Sequence, residues 1–257
     1  MEALVIRLFV FDLDGTLVQT ERLRAESYAK AVIELCPYTV DEEDAIDGYR
    51  DVVGQSKREV AEHLVARFNL TETASARMAD FGVNTPWEAL IQVRLKYYDR
   101  LACDSDILRA AVWPHNVALL KYARGVGCRT ALASMSSASR IDEVLEALDV
   151  REAFDFIASG DDVARGKPDP EIYGLVATHF AFRPQECLVI EDSPDGIKSA
   201  VDAGMHCVAV TTPFSRRRVL ESDLLPQELI VNEPDQLMRV VQGIVDTEAA
   251  GGKVGGR

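Results

Sequence analysis

The chain has 257 residues, 47% of them hydrophobic, enough for one large domain or two smaller ones with a sizeable core. Its 28 lysines and arginines face 42 acidic side chains, a formal net charge of −14. So acidic a surface argues against nucleic-acid or anionic-membrane binding, and any anionic substrate must be held by a local cluster of positive groups.

The opening apolar run, Leu4–Phe11, reads as a strand buried on both faces and is too short for a signal peptide. It stops at Asp12. Asp14 follows two residues later, and Gly15 turns the chain. From Thr20 onward the pattern becomes helical. Leu23, Ser27, Tyr28, Ala31, Val32 and Leu35 mark one stripe, Val60, Leu64 and Phe68 a second, and Leu90, Val93, Tyr97 and Leu101 a third. We read residues 20–107 as a helical subdomain inserted after the first strand, with hinges near Val18–Thr20 and Ile107–Pro114.

Beyond the insert, Thr130–Ala133, Phe154–Ala158, Cys187–Ile190 and Cys207–Val210 read as further buried strands. Helical patterns at Asn116–Arg124, Arg140–Leu148, Pro170–Phe180 and Gly196–Ala203 alternate with them. This predicts an α/β fold, a doubly wound parallel sheet, from residues 1–19 and 108–243. The Gly-rich end, residues 244–257, reads as a disordered tail. No apolar stretch reaches the roughly 18 residues of a membrane span. The five cysteines are odd in number and lack CxxC spacing, so they are expected as reduced thiols in a cytoplasmic protein.

In such a sheet the loops at the carboxyl ends of the strands gather at one edge. Asp12 and Asp14 follow the first strand and Ser134 the second. Lys167 lies in GKPDP after the third, and Glu191 and Asp192 follow the fourth. Crowded carboxylates repel unless a hard cation is present, and magnesium prefers oxygen ligands. Asp12, Asp192, Glu191 and the Asp14 carbonyl are candidate Mg2+ ligands. Ser134 and Lys167 would grip the remaining oxygens of a phosphate. An aspartate can attack a phosphoryl group, and Asp14 is spaced to act as general acid and base.

DLDGT at 12–16, LASMS at 132–136, Lys167 in GKPDP and IEDSPDGI at 190–197 resemble, in order, the four motifs of the haloacid dehalogenase (HAD) superfamily. The resemblance runs from Phe9 to about Thr212. It implies a HAD-like Rossmannoid core with Asp12 as nucleophile and Asp14 as acid/base. It further implies phosphate binding by Ser134 and Lys167, and magnesium on Asp12, the Asp14 backbone, Glu191 and Asp192. Dehalogenation is not implied, because that branch lacks the second aspartate of the first motif.

The insert resembles the alpha-helical cap of the β-phosphoglucomutase and phosphoglycolate phosphatase branch. VVGQSKRE at 52–59 is similar to the cap substrate loop of that mutase, which implies phosphate contacts for Lys57 or its neighbour Arg58. Arg24 stands where the mutase has a histidine, and Arg94 where it has a lysine. Thr16 gives the DGT turn usual in phosphatases. We therefore expect a phosphatase acting on a small phosphorylated metabolite, a sugar phosphate or bisphosphate, with a β-phosphoglucomutase-like mutase as the alternative. Arg24 and Arg94 are read as cap specificity residues, with surface ion pairing as their alternative. A monomer is expected.

Overall fold

The first apolar run lies in the middle of a sheet. In the structure, a computed structural model describing residues 5–36, 39–53 and 55–251, it forms β1 (Leu8–Phe11). Seven helices follow: α1 (Thr20–Leu35), α2 (Glu42–Arg50), α3 (Lys57–Arg67), α4 (Thr71–Ala76), α5 (Met78–Phe81), α6 (Pro86–Cys103) and α7 (Ser105–Ala110). The chain then alternates. It runs α8 (Pro114–Gly125), β2 (Arg129–Ala133), α9 (Ala138–Ala147), β3 (Phe156–Ala158), α10 (Glu171–Phe180) and β4 (Cys187–Glu191). It ends with α11 (Pro194–Asp202), β5 (His206–Val210), α12 (Arg216–Glu221), β6 (Ile230–Val231) and α13 (Leu237–Gly251).

The six strands form one parallel sheet in the order β3-β2-β1-β4-β5-β6. The order reverses at β1, so the crevice at its carboxyl end is the topological switch point of the fold. All four β1 residues are fully buried. Side chains alternate across the sheet. Leu8, Val10, Ala131, Ala133, Cys187, Val189, Cys207 and Ala209 pack against Ile172, Tyr173 and Val176 of α10 and Ile197 and Ala200 of α11. The opposite set, Phe9, Phe11, Leu132, Leu188, Ile190 and Val208, is buried as well. Burial on both faces is why these strands read as continuous apolar runs. The sixth strand went unread because two residues make no run.

Two compact units emerge, residues 1–19 with 111–257, and residues 20–110. In the first, the outgoing and returning chain are tied together. Gln19 N–H donates to the Ala111 carbonyl at 2.8 Å, and Trp113 N–H to the Leu17 carbonyl at 2.9 Å. In the second, α1 packs on α2 and α6, and α3 on α6. Leu23, Val32, Leu64, Leu90 and Val93 of the three predicted stripes are buried there.

One correction concerns the C-terminal end. The tail read from residue 244 begins as helix, because α13 continues to Gly251. Leu237 and Val241, one turn apart, anchor it in the core. Residues 252–257 of that expected tail lie outside the described residues. All five cysteines are free thiols. No helix among the described residues is long and apolar enough to cross a membrane.

Candidate active site

Asp12 sits one residue beyond β1, its N–H still donating to the Ile190 carbonyl of β4 at 3.0 Å. The sheet therefore fixes its backbone, and the residue is 6% exposed. The chain then turns sharply, with Leu17 N–H on the Leu13 carbonyl at 2.9 Å and Gly15 N–H on the Val18 carbonyl at 2.7 Å. Gly15 has φ +91°, and a Cβ there would lie 2.1 Å from the Asp192 carboxylate. Glycine is thus required twice, for its backbone and for the space it yields.

Asp12, Glu191 and Asp192 are all buried, with ligand oxygens within 4.8 Å of one another. Lys167 answers their charge. Its ammonium lies 2.8 Å from Asp12 Oδ1, 2.6 Å from Glu191 Oε1 and 3.0 Å from the Ala133 carbonyl. All three of its protons are used. Burial works against the lysine's charge, yet Asp12 and Glu191 hold its pKa well above the ordinary 10.5. Burial pushes the Asp12 carboxyl up to about 7; Lys167 opposes this, while Glu191 and Asp14 add to it.

Glu191 is the most tightly fastened of the acids. Oε1 accepts from Lys167 and from the Tyr173 hydroxyl at 2.9 Å. Oε2 accepts from the N–H groups of Asp192 and Ser193 and from Ser193 Oγ. The carboxylate thus lies at the N-terminus of α11, where backbone donors and the helix dipole favour an anion. Ser193 caps that helix through Gly196 N–H at 3.1 Å. A Cβ on Gly196 would stand 1.8 Å from Glu191 Oε1, so this glycine also makes room for a carboxylate.

Ser134 is fully buried at the end of β2, its N–H on the Ala158 carbonyl at 3.0 Å. Its hydroxyl is 3.4 Å from Asp14 Oδ2. The α/β unit therefore brings Asp12, Asp14, Ser134, Lys167, Glu191 and Asp192 to one sheet edge. Hard oxygen donors crowded in this way fit a magnesium ion.

A family model for haloacid dehalogenase-like hydrolases matches residues 6–204. The chain belongs to the haloacid dehalogenase-like hydrolases. The protein CbbY of Cereibacter sphaeroides is 28% identical over 218 residues, spanning 82% of this chain and 87% of its own length. A phosphorylated carbohydrates phosphatase of Thermotoga maritima is 28% identical, over 77% of this chain and 81% of its own. Among solved structures, CbbY of Rhodobacter sphaeroides in complex with xylulose 1,5-bisphosphate is 25% identical. It covers 82% of this chain and 89% of its own, with a TM-score of 0.53. The chain is a HAD-type phosphoric monoester hydrolase.

The basic residues expected in the cap of this hydrolase lie in the helical unit, and they part company there. A cavity of about 330 Å3 is lined by Arg24, Lys57 and Arg94, with Glu21, Gln55 and tyrosines 28, 49 and 98. Arg58 does not line it. Its guanidinium pairs with Glu62 at 2.8 Å and lies over the Trp87 ring. Arg94 is no surface residue. It is 8% exposed, its Nε donates to Ser27 Oγ at 2.9 Å, and its guanidinium lies over the rings of Tyr98 and Tyr28 at 4.2 and 5.2 Å. It has no carboxylate partner among the described residues.

Three residues of the core site escaped the reading of the sequence: Tyr173, Gly196 and Ser136. Ser136 Oγ donates to Asp14 Oδ2 at 2.7 Å. The signal for Gly196 was its place in IEDSPDGI. Tyr173 looks like any aromatic core position on α10.

Proposed function

We propose that this chain is a magnesium-dependent phosphatase that hydrolyses a phosphorylated sugar through an aspartyl-phosphate on Asp12. The observation that carries the reading is one sheet edge that holds a rigid, buried Asp12 against Lys167 and beside Glu191 and Asp192, with Asp14 next to Ser134 in the same crevice.

In the first step an Asp12 oxygen attacks phosphorus. The bond to the sugar oxygen breaks, and that oxygen keeps the electron pair and takes a proton from the Asp14 carboxyl. In the second, water attacks the aspartyl-phosphate and gives its proton to the Asp14 carboxylate. The bond between phosphorus and Asp12 breaks, releasing inorganic phosphate and restoring both carboxyl groups to their starting states. Ser134 and Lys167 would hold the phosphoryl oxygens, the lysine by exchanging one of its three present acceptors for the substrate. Asp12, Asp192, Glu191 and the Asp14 carbonyl are the groups that would hold magnesium, Glu191 from a carboxylate also fastened by Lys167 and Tyr173. When bound, the ion supplies the charge that keeps Asp12 ionised and screens it from the incoming phosphate.

For the helical unit we propose an anion-binding cavity built on Arg94, Arg24 and Lys57. A buried arginine with no carboxylate partner among the described residues, beside two further cations, supports a substrate carrying a second anionic group, such as a sugar bisphosphate. The complex of CbbY with xylulose 1,5-bisphosphate supports the same class.

The test is phosphate release from a panel of sugar phosphates, sugar bisphosphates and 2-phosphoglycolate, with magnesium and with EDTA. Turnover is expected with magnesium and not with EDTA. Asp12→Asn is expected to fall at least about 10³-fold; activity surviving in that variant refutes the nucleophile.

A further inference from the structure

Two hydroxyls approach Asp14 from the loop after β2, and they differ. Ser136 Oγ stands 2.7 Å from Oδ2, while Ser134 Oγ stands 3.4 Å away. A hydroxyl donating to a carboxylate at the shorter distance makes a charge-assisted bond; the longer contact is weak. Ser136 is itself held on both sides. Its N–H donates to Ser134 Oγ at 3.1 Å, and its carbonyl accepts from Gly160 N–H at 3.0 Å. The loops meet closely there, since a Cβ on Gly160 would lie 2.6 Å from the Met135 carbonyl oxygen. The Ser136 hydroxyl is therefore aimed by a fixed backbone.

We propose that Ser136 is the positioning residue of the acid/base Asp14. Its bond commits Oδ2 as an acceptor, which assigns the transferable proton to Oδ1 and stops the carboxyl group from rotating away from the leaving oxygen. The inference rests on Asp14 as general acid. It assigns Ser136 a different task from that of Ser134, which holds phosphate. Such a residue matters most where the leaving oxygen needs a proton. A sugar alkoxide leaves poorly without one, whereas p-nitrophenolate leaves well unaided.

The experiment compares Ser136→Ala, Ser136→Thr and Asp14→Asn on two substrates, p-nitrophenyl phosphate and the sugar phosphate turned over fastest in the panel. Ser136→Ala is expected to lower kcat on the sugar phosphate about 10- to 100-fold. That fall should exceed the fall on the aryl ester at least fivefold, with KM for the sugar phosphate moving less than about twofold. Ser136→Thr, which keeps the hydroxyl, should recover most of the loss. Equal falls on both substrates, complete loss included, overturn the proposal. If Asp14→Asn shows the leaving-group bias and Ser136→Ala does not, the positioning role fails while the acid/base reading stands. If Asp14→Asn shows no bias, the acid/base reading fails and takes this inference with it.

Discussion

Lys167 holds its ammonium 2.8 Å from Oδ1 of Asp12, with neither side chain more than 8% exposed. The same ammonium reaches Glu191 at 2.6 Å. One cation thus serves two buried carboxylates, and its removal would leave both uncompensated. Lys167→Met preserves most of the volume and deletes the charge. We expect it to cost about 3–5 kcal/mol of stability, the scale for breaking a buried ion pair by one partner. On its proposed role as a donor to the phosphoryl oxygens, the same change should also lower kcat/KM about 10²- to 10³-fold. Urea denaturation and phosphate release check the two effects; an unchanged urea midpoint contradicts the first.

Asp12 should write its own pH dependence into the stability of the metal-stripped chain. Burial lifts its carboxyl from 3.8 to about 7, against Lys167 and with help from Glu191 and Asp14. Between those values the folded state holds a proton that the unfolded state has released. Stability therefore falls as pH rises from about 4 to about 7, by at most about 1.4 kcal/mol per pH unit. Outside that window the two states bind equally, and the contribution is flat. Lys167, held above 10.5, stays charged in both states throughout it. Denaturation in EDTA at pH 5, 6 and 7 should show the difference between wild type and Asp12→Asn shrinking or changing sign in this direction. Parallel curves for the two proteins contradict it.

On the proposed magnesium dependence, Gly15→Ala should injure metal binding more than folding. Its φ of +91° costs a side chain roughly 1–2 kcal/mol, and the new Cβ would stand 2.1 Å from Asp192 Oδ2. Something must shift, and the carboxylate is the movable partner. We expect the magnesium concentration for half-maximal activity to rise at least tenfold, with a stability loss of about 2 kcal/mol. A variant that needs no more magnesium than wild type would show that Asp192 does not depend on this gap.

The core site was legible because its geometry follows from topology. Strands buried on both faces read as apolar runs, and the residue after each run must lie at one sheet edge, so Asp12, Ser134 and Glu191 could be placed together without coordinates. Lys167 came from its GKPDP loop. What was not legible depends on side-chain direction. Ser136 sits two residues from Ser134 in a serine-rich run, and nothing in the run says which hydroxyl meets Asp14. Arg58 and Lys57 are neighbours on α3, yet successive helical residues point about 100° apart, and only Lys57 lines the cavity. Arg94 read as equally suited to a surface ion pair because a charged residue is seldom buried without a partner. The tyrosines that cover it come from α1 and from its own helix, and their approach is a tertiary fact.

That burial makes Arg94 the sharpest probe of the helical unit. A guanidinium taken out of water loses several kcal/mol of hydration. The rings of Tyr98 and Tyr28 return about 1–2 kcal/mol each, and Ser27 adds one hydrogen bond. Arg24 works against it, and burial together with that neighbour lowers the Arg94 pKa from its ordinary value, though the side chain stays charged at any working pH. Such a balance stabilises little, which is the pattern of a residue kept for binding rather than for the fold. Arg94→Met should therefore leave Tm unchanged or raise it, while kcat/KM for a sugar bisphosphate falls at least about tenfold more than for p-nitrophenyl phosphate. Arg94→Lys should not restore it, because a lysine lacks the planar group that lies over the rings of Tyr98 and Tyr28. A Tm that drops by several degrees, with both substrates losing activity in step, would instead make Arg94 a structural residue.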